Sequence, residues 1–252
     1  IEVFGRLPVE TYLRGVVPAE MPANWPMEAL KAQAIVARSE IYASLSDKYR
    51  LEGFDFTGLE SCRAYWGVGG HHPRTDAAVM ETAGKILSCD GAVAKTVFCA
   101  CCGGRTENNE NVWSGPANSL LRGIPDFPKE RSPAVGDMRA FILGKPPAWC
   151  SDDAGFRWQR RYSVQELSDM VNKHHRVGVI RSIEEGARGV SGRLKSVTIK
   201  GSVGNATVER ELAIRQVFGG LPSAMFILEA TPSATSPSAF IFHGGGRGHG
   251  VG

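Results

Sequence analysis

The fold is decided by residues 26–45, which read Pro-Met-Glu-Ala-Leu-Lys-Ala-Gln-Ala-Ile-Val-Ala-Arg-Ser-Glu-Ile-Tyr-Ala-Ser-Leu. Twelve of these twenty residues are Met, Ala, Leu, Ile, Val or Tyr, and a proline suits the first turn of a helix. At about 100° per residue, Met27, Leu30, Ala34, Ala37, Ile41 and Leu45 form one apolar stripe, while Ala32, Val36 and Ala43 lie nearly opposite. A helix that is apolar on both sides is buried, so the pattern predicts a central helix over about 26–46.

Outside this helix, the chain mixes strand and helix patterns without regular alternation. Asp90-Gly91 stands between two apolar runs and predicts a tight hairpin. Ser163-Val-Gln-Glu166 is a capping box that opens a helix. Later strands are expected at 194–200, 208–212, 226–229 and 239–242. The sequence therefore predicts an α+β fold, with mixed sheets packed around the central helix and irregular, loop-rich excursions.

Composition excludes several classes of protein. The chain has 252 residues, of which 42% are hydrophobic and 22% charged, as in a folded domain rather than a disordered one. A net charge of +3 does not indicate a nucleic-acid partner. No apolar stretch approaches the roughly 20 residues that span a bilayer. There is no signal peptide, and we interpret the sequence as a mature or trimmed fragment.

Glu20 is the strongest candidate for acid chemistry. Its neighbours in sequence are Val16, Val17, Pro18, Ala19, Met21 and Pro22. An apolar setting favours the neutral form of a carboxyl group and suits it to act as a general acid. A glutamate that only caps or polarises the following helix is the alternative.

Two cations on the predicted helix, Lys31 and Arg38, are seven residues apart and share a face within about 20°, with Tyr42 beside them. They either line a cleft as fixed positive donors or reach past the apolar stripe into solvent. The glycine-rich end, residues 244–252, contains Arg247 and His249 as its functional groups. Its glycines indicate backbone packed closely against another part of the protein, with a flexible tail as the alternative.

The six cysteines are at positions 62, 89, 99, 101, 102 and 150. Disulfides, a metal site and buried free thiols all remain open from the residues alone. His71 and His72 are near Cys62 in sequence and could complete a zinc set, although no Cys-x-x-Cys pair supports one.

Several blocks, in order along nearly the whole chain, resemble the stage II sporulation protein D (SpoIID/LytB) family. The resemblance is carried by Val16–Arg38, Thr75-Asp-Ala-Ala-Val79, Gly103-Gly-Arg-Thr-Glu107 with Val112-Trp113, Leu121-Arg-Gly-Ile-Pro-Asp126, Phe156-Arg-Trp158 and Gly246-Arg-Gly-His-Gly-Val-Gly252. It implies a single SpoIID-like catalytic domain over 1–252, with a loop-rich sub-domain around 50–150. It also implies a bacterial protein acting outside the cytoplasm, in the periplasm or cell envelope.

The activity implied by this resemblance is that of a lytic transglycosylase. Such an enzyme cleaves the MurNAc–GlcNAc bond of peptidoglycan glycan strands and leaves 1,6-anhydroMurNAc ends. The family's catalytic glutamate falls on Glu20, and Lys31, Arg38, Tyr42, Arg247 and His249 are the expected substrate-binding residues. One carboxyl group is sufficient, because a substrate hydroxyl replaces the second carboxylate or water that ordinary glycosidases need. The alternative is a non-catalytic, glycan-binding activator of a partner amidase.

The resemblance also bears on the cysteines. After Phe98 the family usually has a His-Ser-like segment, which Cys99-Ala-Cys-Cys102 replaces here. Some relatives bind zinc around this segment, so the metal candidates are Cys99, Cys101, Cys102 and His71, although no cofactor is required. Others join this segment to the strand that contains Cys62. The expected disulfides link Cys62 to Cys101 or Cys102, with Cys150 paired to another member of the cluster.

Overall fold

The predicted central helix is present as α2, which covers Met27–Ser44. The structure is a computed structural model that describes residues 5–45, 49–57, 62–127, 137–144, 146–233 and 237–252. Helices and antiparallel sheets both occur, so the α+β class predicted from the sequence is confirmed. Within the described ranges, no helix has the length and apolar character needed to cross a membrane.

The chain divides into two compact units, Ile1–Val97 and Phe98–Gly252. Each has its own hydrophobic core: the cluster that includes α2 belongs to the first unit, and the two larger sheets surround a separate core in the second. The helix is therefore the centre of the first unit. The assignment of one catalytic domain to residues 1–252 stays a prediction.

In the described part of the first unit, the α-helices are α1 (Val9–Glu20), α2 and α3 (Pro73–Glu81). Their shared core consists of Leu13, Val16, Val17, Ala34, Ala37, Ile41 and Val79. Short 3-10 turns cover Arg50–Glu52 and Val68–Gly70. The predicted hairpin is confirmed as β1 (Ser88–Cys89) and β2 (Ala92–Val93), because Asp90 and Gly91 both take the positive φ of its turn.

The burial of α2 is one-sided, in contrast to the prediction from its two apolar stripes. Leu30, Ala34 and Ile41 of the first stripe are buried, whereas Ala32 is exposed and Val36 and Ala43 are only half-buried. Alanine is common on helix surfaces because it has the highest helix propensity, so an alanine-rich stripe is a weak signal for burial.

The second unit contains two three-stranded antiparallel sheets. One has the order β3-β8-β7, formed by Arg157–Ser163, Ala239–Gly245 and Phe226–Thr231. The other has the order β4-β5-β6, formed by Ile180–Glu185, Ser196–Gly201 and Asn205–Glu209. The helices are α4 (Asn109–Val112), α5 (Met138–Leu143), α6 (Val164–Asn172) and α7 (Glu211–Val217). The capping box predicted at Ser163 opens α6.

The glycine-rich end packs closely against a buried arginine. Arg193 is 2% exposed, and its guanidinium donates to the carbonyls of Cys102 (3.2 Å) and Gly248 (3.3 Å). A Cβ at Gly250, where φ is +81°, would lie 2.2 Å from Arg193 Cζ. The prediction of close backbone packing is therefore confirmed.

Replacing Gly250 by Ala should lower the free energy of unfolding by at least about 2 kcal/mol, because backbone strain and the clash with Arg193 add. Gly220 is a matched control, since its φ is +82° but nothing lies within 4 Å of its added Cβ. Its alanine variant should lose only the roughly 1 kcal/mol of strain. Equal losses in urea unfolding of the two variants would contradict the proposed clash.

Candidate functional site around Glu20

Glu20 is the last residue of α1, and its side chain is half-buried. Its Oε1 accepts a hydrogen bond from the backbone N–H of Ala64, at 3.0 Å. The carboxyl end of a helix disfavours negative charge, whereas a hydrogen bond from a backbone N–H favours it. The hydrogen bond from Ala64 therefore fixes the position of the carboxyl group. The helix end and this hydrogen bond have opposite effects on its negative charge.

The segment that supplies the Ala64 N–H is fixed against α1. Trp66 donates its N–H to the carbonyl of Gly15, at 3.1 Å. The ring of Tyr65 lies directly over Gly15, where a Cβ would be 2.5 Å from Tyr65 Cε2. Glycine at position 15 therefore lets the segment approach closely enough for Ala64 to reach Glu20.

The loop after Glu20 is held by an arginine of α3. The Arg74 guanidinium donates to the carbonyl of Ala23 through Nε (2.8 Å) and to that of Trp25 through Nη2 (2.9 Å). Glu20 consequently lies between two anchored segments, which limits the positions that its carboxyl group can take.

Lys31 joins α2 to α3. Its ammonium group forms ion pairs with Glu81 (2.7 Å) and Glu28 (3.0 Å), and its side chain is 25% exposed. The hydrogen bonds that the Lys31 ammonium group donates to Glu81 and then to Glu28 raise the pKa of Lys31. Lys31 therefore retains its charge, and it has enough exposure to contact a ligand.

Arg38 is completely buried and is bonded only to protein groups in the described contacts. Its Nε and Nη2 donate to the two carboxylate oxygens of Glu10, at 2.8 and 2.7 Å. Nη1 donates to the carbonyl of Lys85 (3.0 Å) and Nη2 to that of Val79 (3.2 Å). Although burial opposes it, Arg38 together with the Gly84 N–H lowers the pKa of Glu10. The geometry gives Arg38 a role in holding three helices together; substrate binding stays a prediction for it.

The other acidic side chains of α2 are paired with cations. Glu28 is 83% exposed and pairs with Lys31. Glu40 pairs with Arg63, whose guanidinium is buried and lies 4.2 Å from the centre of the Phe56 ring. Tyr42 is 43% exposed on the same helix. Glu28 and Glu40, the carboxylates of α2 that could replace Glu20 as the acid, are thus both held in ion pairs.

The two predicted site residues of the glycine-rich end lie in the second unit. Arg247 pairs with Cys101 through two backbone hydrogen bonds, of 3.1 and 2.8 Å. His249 Nδ1 accepts from the N–H of Val251 (3.1 Å), and its ring lies against that of Trp113, with centroids 4.8 Å apart. Substrate binding by Arg247 and His249 stays a prediction.

His249 is a neutral imidazole at neutral pH. Burial, and then the charges of Arg193 and Arg215, lower the pKa of His249 from 6.5 to about 4. Protonation therefore favours the unfolded chain, so this contribution to stability is complete above about pH 6.5 and is lost as the pH falls toward 4.

We expect His249→Gln to remove part of the stability loss between pH 6.5 and 4, measured by urea unfolding at each pH. The exposed His174 is the matched control, and His174→Gln should keep the parent profile. Identical profiles for the parent and His249→Gln would contradict the neutral, buried histidine.

Sequence reasoning missed the buried polar residues that support these segments. Glu107 is 1% exposed, and its carboxylate accepts from the N–H groups of Val190 and Ser191 (3.1 Å each) and from Asn111 Nδ2 (2.8 Å). Asp76 of α3 is bonded to Arg14 of α1 at 2.5 Å. Both residues lie in motifs that the sequence shows. Their partners are far away in the chain, so no periodic pattern could predict the hydrogen bonds.

The predicted cysteine pairs are not at bonding distance, and none of the six cysteines forms a disulfide. Cys102 and Cys150 come closest to a predicted pair, with sulfurs 3.5 Å apart. Cys62 Sγ accepts from the hydroxyl of Thr57, at 3.3 Å. His71 lies in the first unit, with Nδ1 4.0 Å from Asp76 Oδ2. The disulfides therefore stay predictions.

Comparison with known proteins identifies both parts of the chain. Residues 1–88 match the family model of stage II sporulation protein, SpoIID, and residues 107–252, more than half of the chain, match a domain of unknown function (DUF8618). Residues 1–88 are therefore a SpoIID family domain, and the chain belongs to the DUF8618 family through the longer match of its second part.

Three relatives illustrate the similarity. An uncharacterized protein of Brachyspira hyodysenteriae is 39% identical over 48% of this chain and 33% of its own length. The amidase enhancer of Bacillus subtilis is 30% identical over 55% of this chain and 19% of its own length. Stage II sporulation protein D of Bacillus subtilis is 28% identical over 55% of this chain and 44% of its own length. The chain thus spans less than half the length of each of these relatives.

Proposed function

We propose that this protein is a peptidoglycan lytic transglycosylase with Glu20 as its single general acid and base. The observation that carries the proposal is the position of the Glu20 carboxyl group, half-buried at the end of α1 and oriented by the Ala64 N–H. The match of residues 1–88 to the SpoIID family and the similarity to an amidase enhancer support a role at the cell wall. Because peptidoglycan lies outside the cytoplasm, we infer an extracytoplasmic location.

The proposed reaction needs no water and no second carboxylate. Protonated Glu20 donates its proton to the glycosidic oxygen as the bond from that oxygen to C1 of MurNAc breaks. The C6 hydroxyl of the same MurNAc then attacks C1, and its proton passes to the Glu20 carboxylate. The products are a 1,6-anhydroMurNAc end and a GlcNAc with a free 4-hydroxyl, so Glu20 is regenerated. Proximity within one sugar supplies what a bound nucleophile supplies elsewhere.

Ion pairing of the other carboxylates favours this mechanism over hydrolysis. A hydrolase needs a second carboxylate to activate water or to form a glycosyl intermediate. Glu28 and Glu40, the candidates nearest in sequence on α2, are bonded to Lys31 and Arg63. Either carboxylate would have to leave its ion pair before it could activate water or attack the sugar, so neither is suited to that role.

Glycan-binding activation of an amidase is the second candidate, and the similarity to the amidase enhancer of Bacillus subtilis favours it. The two functions differ in what the protein does alone. Purified glycan strands incubated with the protein should acquire 1,6-anhydroMurNAc ends, detected by mass spectrometry. Strands that stay intact, together with faster peptide release by an added cell-wall amidase, would support the activator and contradict the lyase.

A further inference from the structure

A group of sulfur and carboxylate ligands lies in the second unit and includes none of the residues of the proposed reaction. Cys102 Sγ is 3.5 Å from Cys150 Sγ and 3.3 Å from Asp126 Oδ2. These three ligand atoms all lie within 4.8 Å of one another. Three potential ligands therefore converge on one region, and Cys102 among them is buried.

The backbone beside the group donates a hydrogen bond to one of its sulfurs. Gly104 donates its N–H to Cys102 Sγ, at 3.4 Å. Gly103 and Gly104 both have positive φ, and a Cβ at Gly103 would lie 2.8 Å from the nitrogen of Gly246. Hydrogen bonds from backbone N–H groups favour the charged form of a thiol and fix the ligand's orientation.

The separations fit a tetrahedral zinc site. With Zn–S near 2.3 Å and Zn–O near 2.1 Å, the edges of a tetrahedron are about 3.8 Å between two sulfurs and about 3.6 Å between sulfur and oxygen. The observed 3.5 and 3.3 Å are each within about 0.3 Å of these edges. A disulfide requires a sulfur separation of about 2.0 Å, so the present geometry is much closer to the metal site.

Charge also favours a cation over a disulfide. A disulfide between Cys102 and Cys150 would use two of the three ligands and leave the Asp126 carboxylate against uncharged sulfur. Several deprotonated ligands in a partly dry site need positive charge nearby. Arg157 supplies one positive charge, since it lies close to these cysteines and donates to the carbonyl of Gly103, at 3.0 Å. A divalent cation would supply the remainder.

We propose that Cys102, Cys150 and Asp126 bind one Zn²⁺ ion. This set shares only Cys102 with the candidates drawn from sequence, because Asp126 and Cys150 take the place of Cys99, Cys101 and His71. Three protein ligands leave one position of the tetrahedron for a water molecule or another small ligand. Binding displaces the thiol protons and stabilises the folded unit.

The site would join segments that are distant in the chain. It would link the Cys101–Gly104 turn to Asp126 and to Cys150, and Cys101 is already paired with Arg247 through the backbone. The metal would therefore fix the turn on which the glycine-rich end rests. Removal of the metal should lower the melting temperature of the protein and should make the ligand thiols easier to alkylate.

The full chain, purified in reductant and stripped with a chelator, should rebind about one Zn²⁺ per chain, measured by plasma mass spectrometry. Co²⁺ in its place should give thiolate-to-cobalt charge-transfer absorption. Cys150→Ser and Asp126→Asn should each weaken Zn²⁺ binding by at least about tenfold. Cys89→Ser is the matched control and should bind as the parent does, because the Cys89 thiol lies in the β1–β2 hairpin beside Asp90.

Three results would overturn the proposal: no retained Zn²⁺, equal binding by Cys150→Ser and Cys89→Ser, or a Cys102–Cys150 disulfide in protein isolated without reductant. Should Cys150→Ser fail to fold, alkylation of the unsubstituted protein gives the answer. Zn²⁺ should protect Cys102 and Cys150 from iodoacetamide but not Cys89. Equal labelling with and without Zn²⁺ would contradict the site.

Discussion

Replacing Glu20 by Gln is expected to lower the rate of glycan cleavage by about 10² to 10⁴, the usual loss when general acid–base assistance is removed. The amide keeps the shape of the carboxyl group and can still accept the Ala64 N–H bond, which is 3.0 Å long in the parent. It cannot donate the proton that the leaving oxygen needs. Binding of glycan strands should change little, because the amide resembles the protonated acid. Rates of anhydroMurNAc formation and strand affinity together make the measurement.

Glu28→Gln is the matched control for this substitution. Glu28 is 83% exposed and its partner Lys31 keeps a second ion pair with Glu81, so the fold should tolerate the change. Its cleavage rate should stay close to that of the parent. Glu40→Gln is less suitable, because it would leave the buried Arg63 without its carboxylate. Near-parent cleavage by Glu20→Gln would remove Glu20 from the proposed role, and a large loss in Glu28→Gln would move the acid to α2.

Replacing Arg38 by Met is expected to destabilise the protein by about 3–5 kcal/mol, the cost of breaking a buried ion pair by removing one partner. The guanidinium has no solvent exposure, and its loss leaves the carbonyls of Val79 and Lys85 without their donor. Glu10 is 40% exposed and can be hydrated, which places the result toward the lower end of that range. Urea unfolding of parent and variant gives the difference.

Glu10→Gln is the control for the charge alone, because the amide can keep one hydrogen bond to Arg38. It should cost clearly less than Arg38→Met. A loss below about 1 kcal/mol in Arg38→Met would contradict the buried anchor. If Arg38 also binds substrate, the folded fraction of the variant should show a raised KM, whereas an anchor alone leaves the KM of folded molecules unchanged.

Periodic and local signals predicted much of the fold. The helix over about 26–46 appears as Met27–Ser44, the Asp90-Gly91 hairpin and the Ser163 capping box are present, and strands begin at Phe226 and Ala239 as expected. These features depend on residues close together in the chain. The strand Arg157–Ser163 was not foreseen, because its central residues are exposed and polar and show no alternation.

The sequence was less informative about the partners of charged residues. Lys31 and Arg38 were placed on one face, and both do contact groups around the end of α3. Their partners Glu81 and Glu10 are distant in sequence, so neither helical spacing nor motif matching could show that Arg38 is engaged by protein. Glu20 was singled out by its apolar neighbours, but the hydrogen bond from Ala64 required the fold.

Intramolecular cleavage without water can be tested by mass spectrometry of the new glycan ends formed in ¹⁸O-labelled water. The purified protein, with no amidase present, is incubated with glycan strands, and the ends are analysed for mass and label. If Glu20 catalyses the intramolecular reaction, the new ends are 1,6-anhydroMurNAc without ¹⁸O, and Glu20→Gln does not produce them. Reducing MurNAc ends that contain ¹⁸O, or the absence of new ends, would contradict it.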